Sequence, residues 1–373
     1  MIDPAEFHGA LRQRGICFFT GVPDSLLKNL CAYIEAHALA HEHVLTASEG
    51  NGVALAAGYH LATGRMGAVY MQNSGLGNCV NPLTSLTDPE VYAIPMLLII
   101  GWRGEPGTPD EPQHVKQGRV TPDLLELLGI PYRVLEAQSN AAEVLDELVS
   151  SLGDWNRPVA LLVRKKTFMA SAGGAAGVDG YELGREEALR GLLSLIDPSD
   201  VLVSTTGKTS RELFELRQER GEQQRDFLTV GSMGHASSIA LGVAMARPNR
   251  RVICLDGDGA LLMHMGALPI IGSLGPTNFV HVLLNNAAHD SVGGQKTVAG
   301  EVDVGALATA CGYVGYARVT CLPELDAQWT TLSTGKGPML LEIRVTRGAR
   351  GDLGRPTATP ERNKQAFMEF VHA

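Results

Sequence analysis

Short runs rich in Val, Ile and Leu, each followed by a longer amphipathic stretch, recur along the whole 373-residue chain. A run that is apolar along its full length must be covered on both faces, as strands of a parallel sheet are when crossover helices join them. In the first half the strand candidates are Ile16–Val22, Gly67–Gln72, Pro95–Trp102, Pro131–Glu136 and Pro158–Lys165, with helices such as Gly50–Gly64 between them. The stretch FMASAGGAAGVDGYELG that follows is small and glycine-rich and cannot build a core face, so residues 169–184 read as a linker. The pattern then restarts with Asp200–Gly207, Phe227–Ser232, Arg251–Gly259, Phe279–Asn286 and Pro338–Val345. The expectation is α/β, with two doubly wound parallel-sheet domains over 1–168 and 185–373 and ligands at the carboxyl ends of the strands. The halves share a pattern but no residue-level repeat.

Composition narrows the function. A net charge of −9 without clustered Lys or Arg argues against a nucleic-acid partner. The six cysteines are scattered without CxxC pairs, as buried reduced thiols of a cytoplasmic protein would be. MIDPAEFHGALRQRG lacks the apolar run of a signal peptide, and no apolar stretch is long enough to span a bilayer.

The chemistry concentrates in CLDGDGALLMHMGALPIIGSLGPTNFVHVLLNN. Asp258 and Asn286 close two strand candidates one βαβ unit apart, so adjacent strands would bring the two side chains together. A carboxylate and an amide oxygen suit Mg²⁺, which takes its remaining ligands from water and phosphate. Gly257 and Gly259 let backbone N–H groups approach a phosphate, and a helix expected from about Ala260 points its positive end there. The stretch STTGKTSREL offers a turn at Gly207 and a helix start at Lys208 and Thr209; it is not a P-loop, because Leu202 stands where the first glycine would be.

GDG followed at this spacing by NN resembles the motif of thiamine diphosphate enzymes. The resemblance implies the thiamine diphosphate-binding fold, a pyrimidine-binding domain (1–168) and a diphosphate-binding domain (185–373). It implies Mg²⁺ on Asp258, Asn286 and the carbonyl of Ala288, and cofactor contacts from Gly207, Lys208, Thr209, Ser232, Met233, Gly257, Gly259, Ala260 and Ser291. Met233 is the bulky residue over which the cofactor bends. Glu49, in LTASEGNGVALAAGYHLATG, ends a strand and precedes a small-residue helix, as does the family's carboxylic acid that hydrogen-bonds N1′ of the aminopyrimidine.

Longer relatives in this family insert a middle domain, which the chain lacks. GVPDSLLKNLCAYIEAH, MQNSGLGNCVNPLTSL, IIGWRGEPGTPDEPQHVKQGR, TVGSMGHASS and NNAAHDSVGGQKT together resemble the phosphonopyruvate decarboxylases. The implied reaction is attack of the cofactor C2 carbanion on 3-phosphonopyruvate, loss of CO₂, protonation of the enamine and release of phosphonoacetaldehyde, a step of phosphonate biosynthesis. Sulfopyruvate or another small 2-oxo acid is the alternative substrate, and enamine transfer to an aldehyde the alternative reaction. Candidate cations for the anionic substrate are Arg103, His114, Lys116 and Lys296, then Lys28, with Asp24, Ser25 and Asn73 as further pocket residues. His289 and Asp290 are the expected agents of proton transfer. The family builds its sites across a subunit interface, which implies at least a homodimer.

Overall fold

A computed structural model of the protein describes residues 1–150, 156–170 and 180–373. The chain divides into two compact units, Met1–Ala176 and Gly177–Ala373. The part of the expected linker at 171–179 lies outside the described residues.

In the first unit the strands are β1 (Phe18–Gly21), β2 (His43–Leu45), β3 (Gly67–Gln72), β4 (Met96–Gly101), β5 (Tyr132–Leu135) and β6 (Pro158–Val163). In the second they are β7 (Val201–Ser204), β8 (Phe227–Leu228), β9 (Val252–Gly257), β10 (Phe279–Asn285), β11 (Gly315–Val319) and β12 (Met339–Arg344). All the pairings are parallel, in the orders β2-β1-β3-β4-β6-β5 and β11-β12-β10-β9-β7-β8. Counted within its own unit and read from the opposite edge, the second order is the first one, 2-1-3-4-6-5. The two halves therefore share one topology, although their residues do not repeat.

Central strands are buried along their whole length, as in MLLIIG of β4 and FVHVLLN of β10. Helices cover both faces of each sheet. In the first unit Phe7, Leu30 and Leu145 pack on one face and Val53, Cys79 and Leu125 on the other; in the second, Leu189, Leu213 and Trp329 oppose Ala240, Ile271 and Phe367. The edge strands β2 and β11 are short and half-exposed. They carry no continuous apolar run, which is why β11 has no counterpart among the sequence expectations.

In each sheet the chain leaves its first and third strands in opposite directions, which opens a crevice at their carboxyl ends. In the first unit that point lies beyond Gly21 and Gln72, in the second beyond Ser204 and Gly257. All six cysteines are free thiols. No helix among the described residues is long and apolar enough to cross a membrane.

Candidate functional site

Strands β9 and β10 run side by side to the pair Leu284↔Gly257, so the residues just beyond them leave the sheet together. Asp258 is not the last residue of a strand, as expected; it opens the helix Asp258–Met263 with Gly257 as its cap, and the helix therefore starts two residues before Ala260. The carboxylate is buried and accepts a hydrogen bond from the Thr297 hydroxyl. Burial pushes its pKa up to about 6, against the pull of that hydroxyl and of nearby backbone N–H groups. A carboxylate so placed becomes less costly to charge beside a cation, and its hard oxygen suits Mg²⁺.

The two asparagines have different tasks. Asn285 is fully buried; its Nδ2 donates to Glu342 at 2.8 Å and its Oδ1 accepts the Ala287 N–H at 3.0 Å. That second bond steadies Ala287, whose φ of 53° lies in the left-handed region that disfavours a side chain. Asn286 turns the other way: Oδ1 accepts the Ala288 N–H at 3.0 Å, and Nδ2 donates to Asp290 at 2.8 Å. The loop then returns antiparallel to itself, with Ala288 bridged to Lys296 and the Thr297 N–H donating to the Ala287 carbonyl at 2.9 Å.

Three further segments meet this one. A β-carbon built on Gly259 would lie 2.8 Å from Cε1 of His289 and 3.2 Å from Cε of Met233, so only a glycine leaves room for both. Met233 lies in the loop beyond β8, which ends at Leu228, and not at the expected strand end; Ser232 before it is left-handed at φ 53°. The neighbouring Gly234 sits where a β-carbon would come 2.8 Å from the Ala260 carbonyl oxygen. Gly207, at φ 94°, caps the helix Lys208–Glu219, and its β-carbon position is 2.9 Å from Ser291 Oγ. Lys208 is half-buried at that helix start, its pKa lowered by burial while Asp290 raises it, and Thr209 is buried beside it. The loops after β7, β8, β9 and β10 therefore bring together Gly207, Lys208, Thr209, Met233, Asp258, Gly259, Asn286, His289 and Ser291.

Asp290 and His289 follow in the same loop. Three donors converge on Oδ2 of Asp290: Arg185 Nη1 at 3.1 Å, Asn286 Nδ2 at 2.8 Å and the Gly348 N–H at 2.9 Å. A carboxylate engaged in this way holds its neighbours and is poorly placed to shuttle protons. His289 is buried, and burial lowers its pKa to about 4, so its ring is a neutral imidazole at neutral pH and not a charged acid.

In the first unit Glu49 is the first residue of the helix Glu49–Thr63 and is buried, not solvent-facing. Its Oε2 accepts from Asn78 Nδ2 at 2.8 Å, and a β-carbon on Gly75 would fall 2.4 Å from its Oε1. Asp24, fully buried beyond β1, accepts from Gln72 Nε2 at 2.8 Å and the Leu26 N–H at 2.7 Å, and burial raises its pKa. Arg103 is not an uncommitted cation. Its guanidinium forks onto Asp110 at 2.8 and 2.5 Å and donates to Ser25 Oγ at 3.0 Å. Burial works against ionising Asp110, but Arg103 and the N–H groups of Glu111 and Gly104 outweigh it and hold that carboxyl well below the usual range. Asn73 donates to the Arg103 carbonyl and to Thr121 and so supports the same turn. Ser25, Trp102, Arg103, Asp110 and Lys165 line an open depression of about 230 Å³. His114 is buried in the helix Pro112–Leu127, whereas Lys28, Lys116 and Lys296 are exposed.

Residues 7–127 match the family described as thiamine pyrophosphate enzyme, N-terminal TPP binding domain, and residues 205–343 its C-terminal TPP binding domain. The phosphonopyruvate decarboxylase of Streptomyces viridochromogenes is 37% identical over 100% of this chain and 95% of its own. The chain belongs to the phosphonopyruvate decarboxylase family. A second member, from Streptomyces hygroscopicus, is 35% identical over 100% of this chain and 94% of its own. The sulfopyruvate decarboxylase of Methanosarcina acetivorans is 31% identical over 83% of this chain and 82% of its own.

Sequence reasoning missed the residues that support this family's motifs: Thr297 on Asp258, Asn78 on Glu49, Gln72 on Asp24, and Arg185 with Glu212 behind Asp290. Most of these partners lie tens of positions away, where only the folded chain joins them. Asp110 alone had a local signal, as an acid seven residues beyond Arg103 in a turn-rich stretch.

Proposed function

We propose that this chain decarboxylates 3-phosphonopyruvate to phosphonoacetaldehyde and CO₂, in phosphonate biosynthesis, with thiamine diphosphate and Mg²⁺. The observation that carries the reading is the pairing of a buried Asp258 with Asn286 at adjacent strand ends, in a chain matched along its full length by phosphonopyruvate decarboxylases. Thiamine diphosphate, when bound, supplies a nucleophilic carbon and an electron sink for the departing carboxylate.

The chain's residues do the rest. Asp258, Asn286 and the Ala288 carbonyl would hold Mg²⁺ on the diphosphate, and the raised pKa of Asp258 fits a carboxylate that gains a cation. Gly207, Lys208 and Thr209 would receive the diphosphate, joined by Ser291 and the backbone of Gly257, Gly259 and Ala260. Met233 and Ser232 would shape the bend of the cofactor. Glu49 would hold a proton at the aminopyrimidine ring nitrogen, a task suited to a buried carboxyl that Asn78 keeps in place. His289 borders the same floor beside Gly259, where its neutral ring would relay a proton to the former keto carbon, one nitrogen giving a proton as the other takes one up. Lys296 and Lys116 are the cations proposed for the substrate's second anionic group, with Asp24, Ser25, Asn73 and His114 as further pocket residues.

Self-association into at least a homodimer and a cytoplasmic location complete the reading; the free thiols suit a reducing compartment. An active monomer in analytical ultracentrifugation would contradict the first of these. The reaction is tested by incubating the purified protein with thiamine diphosphate, Mg²⁺ and either 3-phosphonopyruvate or sulfopyruvate. CO₂ and phosphonoacetaldehyde from the former are expected, and turnover of sulfopyruvate alone would overturn the proposal.

A further inference from the structure

Behind Asn286 lies a buried ionic frame that the sequence did not announce. Arg185, the first residue of the helix Arg185–Leu195, is buried; Nε and Nη2 fork onto Glu212 at 2.8 Å each, and Nη1 donates to Asp290 Oδ2 at 3.1 Å. The Gly348 loop closes the frame from the far side, since its N–H donates to Asp290 Oδ2 at 2.9 Å and its carbonyl accepts from Arg185 Nη2 at 3.2 Å. That loop is itself fastened. Arg350 pairs with Glu186 and Glu215, Arg211 donates to the carbonyls of Leu353 and Gly354, and the Gly354 N–H donates to Glu215 at 2.6 Å. Asp290 is therefore immobilised by groups unrelated to the metal end of the site.

The consequence falls on Asn286. An asparagine amide presents an acceptor on one side and two donors on the other, and the two faces are nearly identical in shape. Only the oxygen can ligate a cation; a flipped amide would aim its N–H groups at the metal. The neighbouring carboxylate breaks this symmetry, because it accepts and does not donate, and Asn286 Nδ2 gives it a hydrogen bond at 2.8 Å. The second tie, from the Ala288 N–H to Oδ1 at 3.0 Å, agrees with the same orientation.

We propose that Asp290 is a positioning residue: clamped by Arg185 and the Gly348 loop, it sets the amide of Asn286 with its oxygen toward the divalent cation, and so sets metal affinity. The inference rests on the assignment of Asn286 as a metal ligand. It moves Asp290 from the proton-transfer role that its sequence position suggested to a role in building the metal site. Partners of this kind, which orient a ligand without touching the metal, typically contribute roughly 10- to 100-fold in affinity.

The test uses Asp290→Ala, which removes the oxygen that accepts from Asn286 Nδ2 and leaves the amide free to turn. Free Mn²⁺ is measured by electron paramagnetic resonance during titration of the full-length protein at saturating thiamine diphosphate. The expected result is a Kd for Mn²⁺ raised roughly 10- to 100-fold, with turnover recovered as Mn²⁺ is added in excess. An unchanged Kd overturns the proposal whatever happens to turnover, and a lasting loss of turnover with normal Mn²⁺ binding would return Asp290 to the chemistry. Should Asp290→Ala not fold, Arg185→Lys decides: a lysine cannot fork onto Glu212 and also reach Asp290, so at least roughly threefold weaker Mn²⁺ binding with an unchanged circular dichroism spectrum is expected. Parent-like binding by that variant would overturn the clamp. If the parent itself binds no Mn²⁺ with the cofactor, the metal-site reading fails and the clamp falls with it; parent binding combined with variant binding of equal strength defeats the clamp alone.

Discussion

The two units carry the same strand order, yet they equip the same crevice with different chemistry. Beyond the first and third strands of the second unit stand Gly207, Lys208 and Asp258, the set proposed for phosphate and a cation. At the equivalent points of the first unit stand Asp24 and the Gln72–Asn73 turn, tied together by a hydrogen bond from an amide to a carboxylate. The supports differ as well. The second unit buries whole ion pairs, Arg217–Asp226 with both side chains 1% exposed and Arg185–Glu212 at 6% and 2%. Most pairs of the first unit have an exposed partner, as in Arg133–Glu147 at 45% and 62%; among the described residues Arg103–Asp110, at 17% and 13%, is the exception and lies at the crevice. A shared topology therefore fixes where loops converge and leaves open what they hold, and the unit that carries the proposed metal ligands is the one braced from within by ionic frames.

The sharpest break in the comparison is Asp258→Asn. Removing the only carboxylate assigned to the metal should lower metal-dependent cofactor binding by roughly 100-fold or more, read by quenching of intrinsic fluorescence on titration with thiamine diphosphate and Mg²⁺. Binding of parental strength would show that the second unit does not hold the cation where proposed.

Next in size is the bracing. Arg217→Met leaves Asp226 buried without its partner and should destabilise the second unit by ~3–5 kcal/mol in urea unfolding. Arg133→Met, its exposed counterpart in the first unit, should stay within ~0.5 kcal/mol. Equal losses would erase the distinction between the two kinds of support.

Arg103→Met should come between these, at ~2 kcal/mol, since a partly buried carboxylate loses a charged fork. The pH dependence carries the sign. Asp110 has its pKa depressed in the folded protein, so its pairing adds stability above the ordinary carboxylate pKa of ~3.9 and loses it as pH falls below that value. Arg103→Met should therefore flatten the acid limb of the stability curve, whereas a guanidinium held mainly for substrate would raise KM and leave that limb alone. The smallest expected effect is that of Lys296→Ala, an exposed side chain, with KM raised by roughly threefold and kcat unchanged.

Much of this was legible in the sequence, and the reason lies in burial. The strands β3, β4, β9 and β10 are covered on both faces, so their runs are apolar nearly throughout, and GDG and NN stand out because polar groups end them. Edge strands follow a weaker rule, and β11, with Arg318 exposed among its five residues, gives no such run. The side chains that aim or restrain the motif residues were not legible. Thr297, Arg185 and Asn78 are ordinary residue types whose tasks depend on neighbours brought close by the fold. Asp110, the partner of Arg103, depends on the fold in the same way.

The division of labour between the units is tested most directly at Glu49. With thiamine diphosphate and Mg²⁺ bound, the rate at which the C2 proton of the cofactor exchanges with deuterium is measured by quenched-flow proton NMR for the parent and for Glu49→Gln. The account predicts parental cofactor affinity in the variant, because the diphosphate and metal contacts are proposed to lie on the second unit, together with exchange slower by roughly 100-fold or more. Exchange at the parental rate would contradict it.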